Sequence, residues 1–268
     1  MLLEHLKNYK LGHVIIMPLF GVALWASTFY ENIRGAQIDY GTFHMPFFSQ
    51  FIDFFLEPVP AIFASIIALI FIILQGFQVS YLANKYKLFE IRSFMPGYLY
   101  IILVSMYIGL QKLHPALMAN FFLLAALDHL FATIKTRRAL RNVFYASLLV
   151  SIGGLFYLKS AIFILIVWIT LLFLKRSSLR EFLVSVFSAS LPFVIVWAFY
   201  YIKNGNAKEF KVTLSLVGFI KETVYDLDWI YYIAFGFIAL LTLIALIRLF
   251  AAMRFKISTS RNQFMILI

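Results

Sequence analysis

A glutamate, an arginine and an aspartate stand close together at Glu31, Arg34 and Asp39, and a single lysine, Lys159, interrupts an apolar stretch far downstream. Held at one surface, these residue types could carry out group transfer from a phosphate. A carboxylate deprotonates an acceptor hydroxyl while guanidinium and ammonium groups neutralise the leaving phosphate. Glu31 or Asp39 is the candidate base, and Arg34 with Lys159 are the candidate phosphate contacts. The plainer alternative is that the acids serve solubility and Lys159 lifts its ammonium to a membrane surface. The residue types alone leave both readings open.

Other chemistries lack their residues. There is no phosphate-binding Walker loop, no GxSxG, no HExxH and no dinucleotide fingerprint. The five histidines, His5, His13, His44, His114 and His129, are scattered without ligand spacing, so no metal site and no cofactor is expected. The chain has no cysteine, which excludes disulfides and thiol catalysis. Asp128 is the one ionisable residue well inside an apolar segment, and it is expected to reach interfacial water or to pair with Arg137 or Arg138. Gln75, Gln78 and Asn120 are expected to be interhelical hydrogen-bond partners.

The elements that must position these groups are membrane helices. With 63% hydrophobic and 13% charged residues and a mean hydropathy of +0.91 over 268 residues, the composition is far from that of a soluble domain, which carries about 25% charged residues. Long apolar runs recur without the short alternating segments of a β-barrel. The expected fold is an all-α, polytopic helical bundle forming one domain over residues 1–268. Eight spans are expected at about 11–29, 61–82, 95–111, 115–134, 143–158, 161–174, 182–202 and 230–249. The polar start "MLLEHLKNYK" does not read as a signal peptide, so the first span is expected to be retained. If the N-terminus is cytoplasmic, the inner segments carry sixteen of the 23 Lys/Arg and three of the twelve acids. That asymmetry is what the positive-inside rule predicts. The net charge of +11 is therefore a topology signal and not a nucleic-acid footprint.

Two local features stand out. The runs on either side of Lys159 are each short for a span, whereas one helix through both would be about 48 Å long, too long for a ~30 Å core. A hairpin turning at Lys159–Ser160, recessed below its neighbours, is expected. In the outer loop 30–60, Ser49, Gln50, Asp53 and Glu57 fall on one arc and Phe47, Phe51 and Phe55 on the other. This spacing predicts a short interfacial helix over 46–57, begun by Pro46 and ended by Pro58. A second outer loop is expected at 203–229. The final "NQFMILI" reads as the start of a further span.

From about Leu82 to Asn204 the chain resembles a family of polytopic inner-membrane proteins of bacteroidete-type bacteria. The resemblance is carried by "ANKYKLFEIRSFMPGYLYIILVSM", "LHPALMANFFLLAAL" and the stretch from "FYASLLVSIGGLFYL" to "SASLPF". Its most specific piece is His114-Pro115-Ala116-Leu117 through Asn120. It implies a bacterial inner-membrane location and further spans, but no activity. Asp128-His129 stands where the family commonly has basic residues, and Lys159 where it has proline, so neither is implied as a family site. A looser architectural likeness is to the multi-span glycosyltransferases that use polyprenyl-phosphate sugars, which also have an acidic first outer loop.

Taken together, these features lead to the expectation of an inner-membrane enzyme of envelope assembly. It would resemble those glycosyltransferases and act at the outer face on a lipid-linked sugar among membrane lipids. A non-catalytic scaffold or partner subunit of an envelope complex is the alternative. An ion-coupled transporter is disfavoured, because only Asp128 lies within the spans.

Overall fold

A computed structural model describes residues 12–33, 61–89, 92–106, 111–135, 139–173 and 179–204, with scattered helical positions from 229 to 244. The regular elements described are all helices: α1 Gly12–Leu24, α2 Ala26–Ile33, α3 Ala61–Lys85, α4 Met95–Ser105, α5 Pro115–Lys135, α6 Leu140–Phe156, a 3-10 helix Leu158–Phe163, α7 Ile164–Phe173 and α8 Leu179–Asn204. Three contain stretches long and apolar enough to cross a membrane: Ile62–Lys85, Pro115–Thr133 and Leu179–Phe199. Residues Val14–Leu24 and Ala26–Ile33 qualify only as a pair, bent by 53°. The chain is thus an all-helical membrane protein. The full set of eight expected spans is not established by length and composition, since α4, α6 and α7 are shorter apolar helices. The interfacial helix expected at 46–57 and nearly all of 203–229 lie outside the described residues, as does much of the expected span 230–249. By its contacts the chain divides into two compact units, Met1–Glu222 and Thr223–Ile268.

Side-chain contacts set the direction of each helix. Gln75 meets Leu117, Gln78 meets Phe121 and Lys85 meets Asp128, so α3 and α5 run parallel. Between them α4 returns, with Gly97 beside Ser80 and Tyr100 beside Gln75. The bent α1–α2 pair opposes α3: Gly21 lies against Ile73 and Leu69, and Asn32 donates to Ser65 at 2.7 Å. Ser147 faces Ser185 at 2.7 Å and Ser151 donates to the Ala189 carbonyl, so α6 and α8 are parallel. Consecutive segments therefore alternate in direction from α1 to α8, as a chain threading back and forth through a bilayer must. Small residues let the backbones approach, and hydroxyls bond across helices, which is how association proceeds where lipid removes the hydrophobic drive. Large apolar side chains such as Leu183, Phe187 and Ile195 are more than half exposed, as a lipid-facing surface requires.

The bend in the first span was not legible in the sequence. It falls at Trp25, fully buried, whose indole donates to Ser105 Oγ at 2.9 Å. Beyond it α2 is held by Thr28, which donates to Gln111, and by Asn32 on Ser65.

Around Lys159 the chain turns, as expected. Helix α6 ends at Phe156, Tyr157 is extended (φ −143°, ψ 103°), and the 3-10 turn carries Lys159 and Ser160. Val167 and Leu171 of α7 then join Val143, Ala146 and Val150 of α6 in one buried cluster, which a continuous helix would forbid. Gly154 permits the close return: a Cβ there would stand 3.2 Å from Ala161 Cβ. Phe193 of α8 lies at the level of Gly154, and α8 continues from there to Asn204, about 16 Å at 1.5 Å per residue. The hairpin tip is therefore recessed relative to α8.

Candidate functional site

The recess opens into a cavity of about 410 Å³, of the size that holds small ligands. Its walls are mostly apolar, with Val104, Leu117, Leu123 and Phe163 among them, and its polar groups are few: Tyr100, His114, Asn120, Tyr157, Lys159 and Ser160. Four elements converge here: α4, the start of α5, the end of α6 and the 3-10 turn. The turn brings Lys159 in from an otherwise apolar hairpin. Beside it, the Ser160 hydroxyl is 97% buried by residue and its Oγ has no hydrogen-bond partner among the described residues.

His114 caps α5. Its carbonyl accepts from the Leu117 N–H at 2.9 Å, and its Nδ1 accepts from the Ala116 N–H at 3.1 Å. Pro115 at the first helical position has no N–H to satisfy. Burial, reinforced by the charge of Lys112, pushes the imidazole down to about 4, so it is neutral near pH 7. With Nδ1 accepting, the ring proton sits on Nε2, which makes that nitrogen a donor. The positive end of the α5 dipole points to the same end of the cavity. The groups at this end are thus a cation, donors and a helix N-terminus, a set that favours an anion.

Deeper in the wall is a polar network. Gln75, fully buried, donates from Nε2 to the Leu117 carbonyl at 2.7 Å. Its Oε1 accepts from the Tyr100 hydroxyl and from Asn120 Nδ2 at 3.3 Å, and Asn120 Nδ2 also donates to the Tyr100 oxygen at 2.8 Å. The backbone carbonyl of Leu117 can only accept, so it fixes which way the Gln75 amide points, and the rest of the network follows.

Of the residues expected from sequence, Lys159 is brought to this cavity. Glu31 is exposed near the end of α2 and does not line the cavity; Arg34 and Asp39 lie outside the described residues. No carboxylate stands among the lining residues described. The sequence reading did not assign His114, Tyr157 and Ser160 to the site. The signal available for His114 was its place beside Pro115 at a helix start, which reads as a cap before it reads as a ligand contact. Gln75, Gln78 and Asn120 do bond across helices as expected.

The other constellation lies toward the opposite end of α5, about 18 Å away along the axis from Ala116 to Asp128. Asp128 pairs with Lys85 at 2.7 and 2.8 Å and accepts from the Tyr86 hydroxyl at 2.8 Å. The expected partners, Arg137 and Arg138, lie outside the described residues; the observed partner comes from the parallel helix α3. Lys85 also lies over the rings of Tyr81 and Tyr86. Burial raises Tyr86 above the ordinary phenol range, so it stays a donor to the carboxylate. Every charge in this cluster is answered, which makes it a clasp between α3 and α5. No group of three or more metal-ligating side chains occurs among the described residues.

Fold and site define the chain as an all-helical membrane protein with a polar-tipped cavity at one end of its bundle. Compared with protein-family models, curated proteins and solved structures, the chain finds no match.

Proposed function

We propose that the chain is an envelope-assembly protein of the bacterial inner membrane which takes the anionic head of a lipid-linked substrate into this cavity, at the outer face. We further propose that it acts there in the manner of the polyprenyl-phosphate-sugar glycosyltransferases. One observation carries the reading: Lys159, the unpartnered Ser160 hydroxyl and the α5 N-terminus stand together in an otherwise apolar recess. Such a site matches a phosphate joined to an acyl or prenyl chain. In the transfer step, Glu31 or Asp39 removes the proton of the acceptor hydroxyl. The acceptor oxygen then bonds to the sugar anomeric carbon as that carbon's bond to the phosphate oxygen breaks, and polyprenyl phosphate leaves, its charge met by Lys159 and Arg34. The bond from Thr28 of α2 to Gln111, close in sequence to His114, supports this reading.

The absence of a carboxylate among the described lining residues favours a second reading, a non-catalytic scaffold that holds such a lipid for a partner subunit. Turnover separates the two. Purified protein in liposomes with a polyprenyl-phosphate hexose and envelope lipids as acceptor should release polyprenyl phosphate. Glu31→Gln or Asp39→Asn should lower that rate by at least ~100-fold, the lower range for a lost general base, without reducing the amount of folded protein. No release by the wild-type protein leaves only the scaffold reading, and release unchanged in both variants removes Glu31 and Asp39 from the step.

The orientation rests on the charge asymmetry and the alternating helices. Ile33 and Lys87, both exposed near opposite helix ends, provide the check in a chain with no native cysteine. A cysteine at Ile33 should react with an impermeant thiol reagent from outside intact cells, and one at Lys87 should not. The reverse pattern would invert the assignment.

A further inference from the structure

The polar network on the cavity wall leaves one atom over. Asn120 donates from Nδ2 to Gln75 Oε1 and to the Tyr100 oxygen. Its carbonyl Oδ1 has no hydrogen-bond partner among the described residues, and it is not among the buried atoms left unsatisfied, so it is open to the cavity that Asn120 lines. Flipping the amide is not available. Leu117 fixes Gln75, Gln75 presents an acceptor, and a flipped Asn120 would set oxygen against oxygen. The cavity is therefore divided in chemistry. One end offers a cation and donors, while the Asn120 carbonyl on the wall offers an acceptor. A phosphate monoester ionised to its dianion, above its second pKa of about 6, is repelled by a carbonyl oxygen and cannot donate to it, whereas a hydroxyl can.

We infer that Asn120 is a specificity-determining residue: its carbonyl accepts a hydrogen bond from a hydroxyl on the head of the bound lipid phosphate. The site then selects an anionic lipid whose head bears hydroxyls over one that ends in a bare phosphate. Tyr100 and Gln75 act through Asn120 as positioning residues. In this apolar setting the selection is substantial, because a ligand lacking the hydroxyl leaves the acceptor desolvated and unmet. The inference rests on the proposed binding of a lipid phosphate at Lys159 and adds which head group is chosen.

Equilibrium binding to the purified full-length chain in lipid nanodiscs tests it, with four lipids: polyprenyl phosphate, a polyprenyl-phosphate hexose, phosphatidylglycerol and phosphatidic acid. The wild-type protein should prefer the hexose adduct to bare polyprenyl phosphate by about tenfold, which corresponds to ~1.4 kcal/mol. Asn120→Leu should remove that preference while changing the affinity for polyprenyl phosphate by less than about twofold. A preference for phosphatidylglycerol over phosphatidic acid, also lost in Asn120→Leu, supports the same hydroxyl reading and assigns a glycerol head as the source. Equal wild-type binding within each pair overturns the inference without recourse to any variant, so a folding defect in Asn120→Leu cannot shelter it. An equal loss for every lipid in a folded Asn120→Leu protein also overturns it. Failure of the underlying reading looks different: none of the four lipids binds, or Lys159→Met leaves every affinity unchanged.

Discussion

Replacing Gly97 by valine is expected to abolish accumulation of folded protein. Gly97 lies in α4 where it crosses α3, and its backbone N–H donates to Ser80 Oγ at 3.0 Å. A Cβ at this position would stand 2.2 Å from Met17 Cε and 2.4 Å from both the Gly76 carbonyl oxygen and Ser80 Oγ. Met17 has a flexible end and could move. The Gly76 carbonyl belongs to helix α3 and cannot, so the two helices must part. Parting them breaks the Gly97–Ser80 bond and the bond from Ser80 Oγ to the Phe94 carbonyl at 3.3 Å. It also opens the packing of Met17 and Ile101, both fully buried. Overpacking costs ~1–3 kcal/mol or more, and each interhelical hydrogen bond in a membrane adds about 0.6–2 kcal/mol. Gly97→Ala already places the offending carbon and should lower the melting temperature in detergent. Gly12→Ala, where a Cβ meets nothing within 4 Å, is the matched control and should behave as wild type. A monodisperse Gly97→Val protein with the wild-type melting temperature would show that the α3–α4 crossing is not as close as the structure has it.

Gly97 illustrates what the sequence could and could not convey. That the chain is a helical membrane protein follows from composition and from runs of apolar residues, because lipid admits little else. That successive helices alternate in direction follows from a series of apolar runs joined by polar segments, and the parallel contacts of α3 with α5 and of α6 with α8 agree with it. The hairpin at Lys159 was legible because two runs too short to span flank a charge. The register was not. Gly76, Ser80 and Gly97 read as ordinary small residues until α3 and α4 are set side by side, since small-residue spacing does not specify a partner. For the same reason Asp128 could be recognised as needing a cation while Lys85 could not be chosen. That pairing depends on the parallel alignment of α3 and α5 across an intervening helix.

The candidate site was legible in one residue of its polar set. Lys159 stood out because a charge in an apolar hairpin demands an account. His114 and Asn120 belong to a helix-start pattern that has a complete structural explanation in capping and interhelical bonding, so nothing in their spacing pointed to a ligand. What reveals them is the shape left between α4, α5 and the 3-10 turn, which depends on the short end of α4 at Ser105 and the break at Tyr157. Neither helix end is marked by glycine or proline. Of the acids that suggested chemistry first, Glu31 is not among the residues that line the cavity, and Asp39 lies outside the described residues.

Lys159→Glu is therefore the substitution expected to have the largest effect on ligand binding with the least effect on the fold. Lys159 is half-buried on the 3-10 turn, beside Ser160 and within reach of the α5 N-terminus. Lys159→Met keeps a long unbranched side chain at this position and removes the charge. Truncating a charged hydrogen-bond partner costs ~1.5–3 kcal/mol, so Lys159→Met should weaken polyprenyl phosphate binding by roughly 10- to 150-fold. Lys159→Glu adds repulsion between two anions in a recess with mostly apolar walls, where screening by salt is weak. It should weaken binding by about 1,000-fold or more. Lys159→Arg keeps the charge but changes its shape and should retain most of the affinity. The alternative, that Lys159 only carries its ammonium to the membrane surface, predicts a different series. In that case Met, Arg and Glu would alter stability to various degrees, and none would change lipid affinity selectively for phosphate-bearing heads. Measuring melting temperature and lipid affinity on the same preparations separates the two. A loss of affinity that follows charge, at constant stability, places the phosphate beside Lys159, and a loss that follows stability instead removes Lys159 from the site.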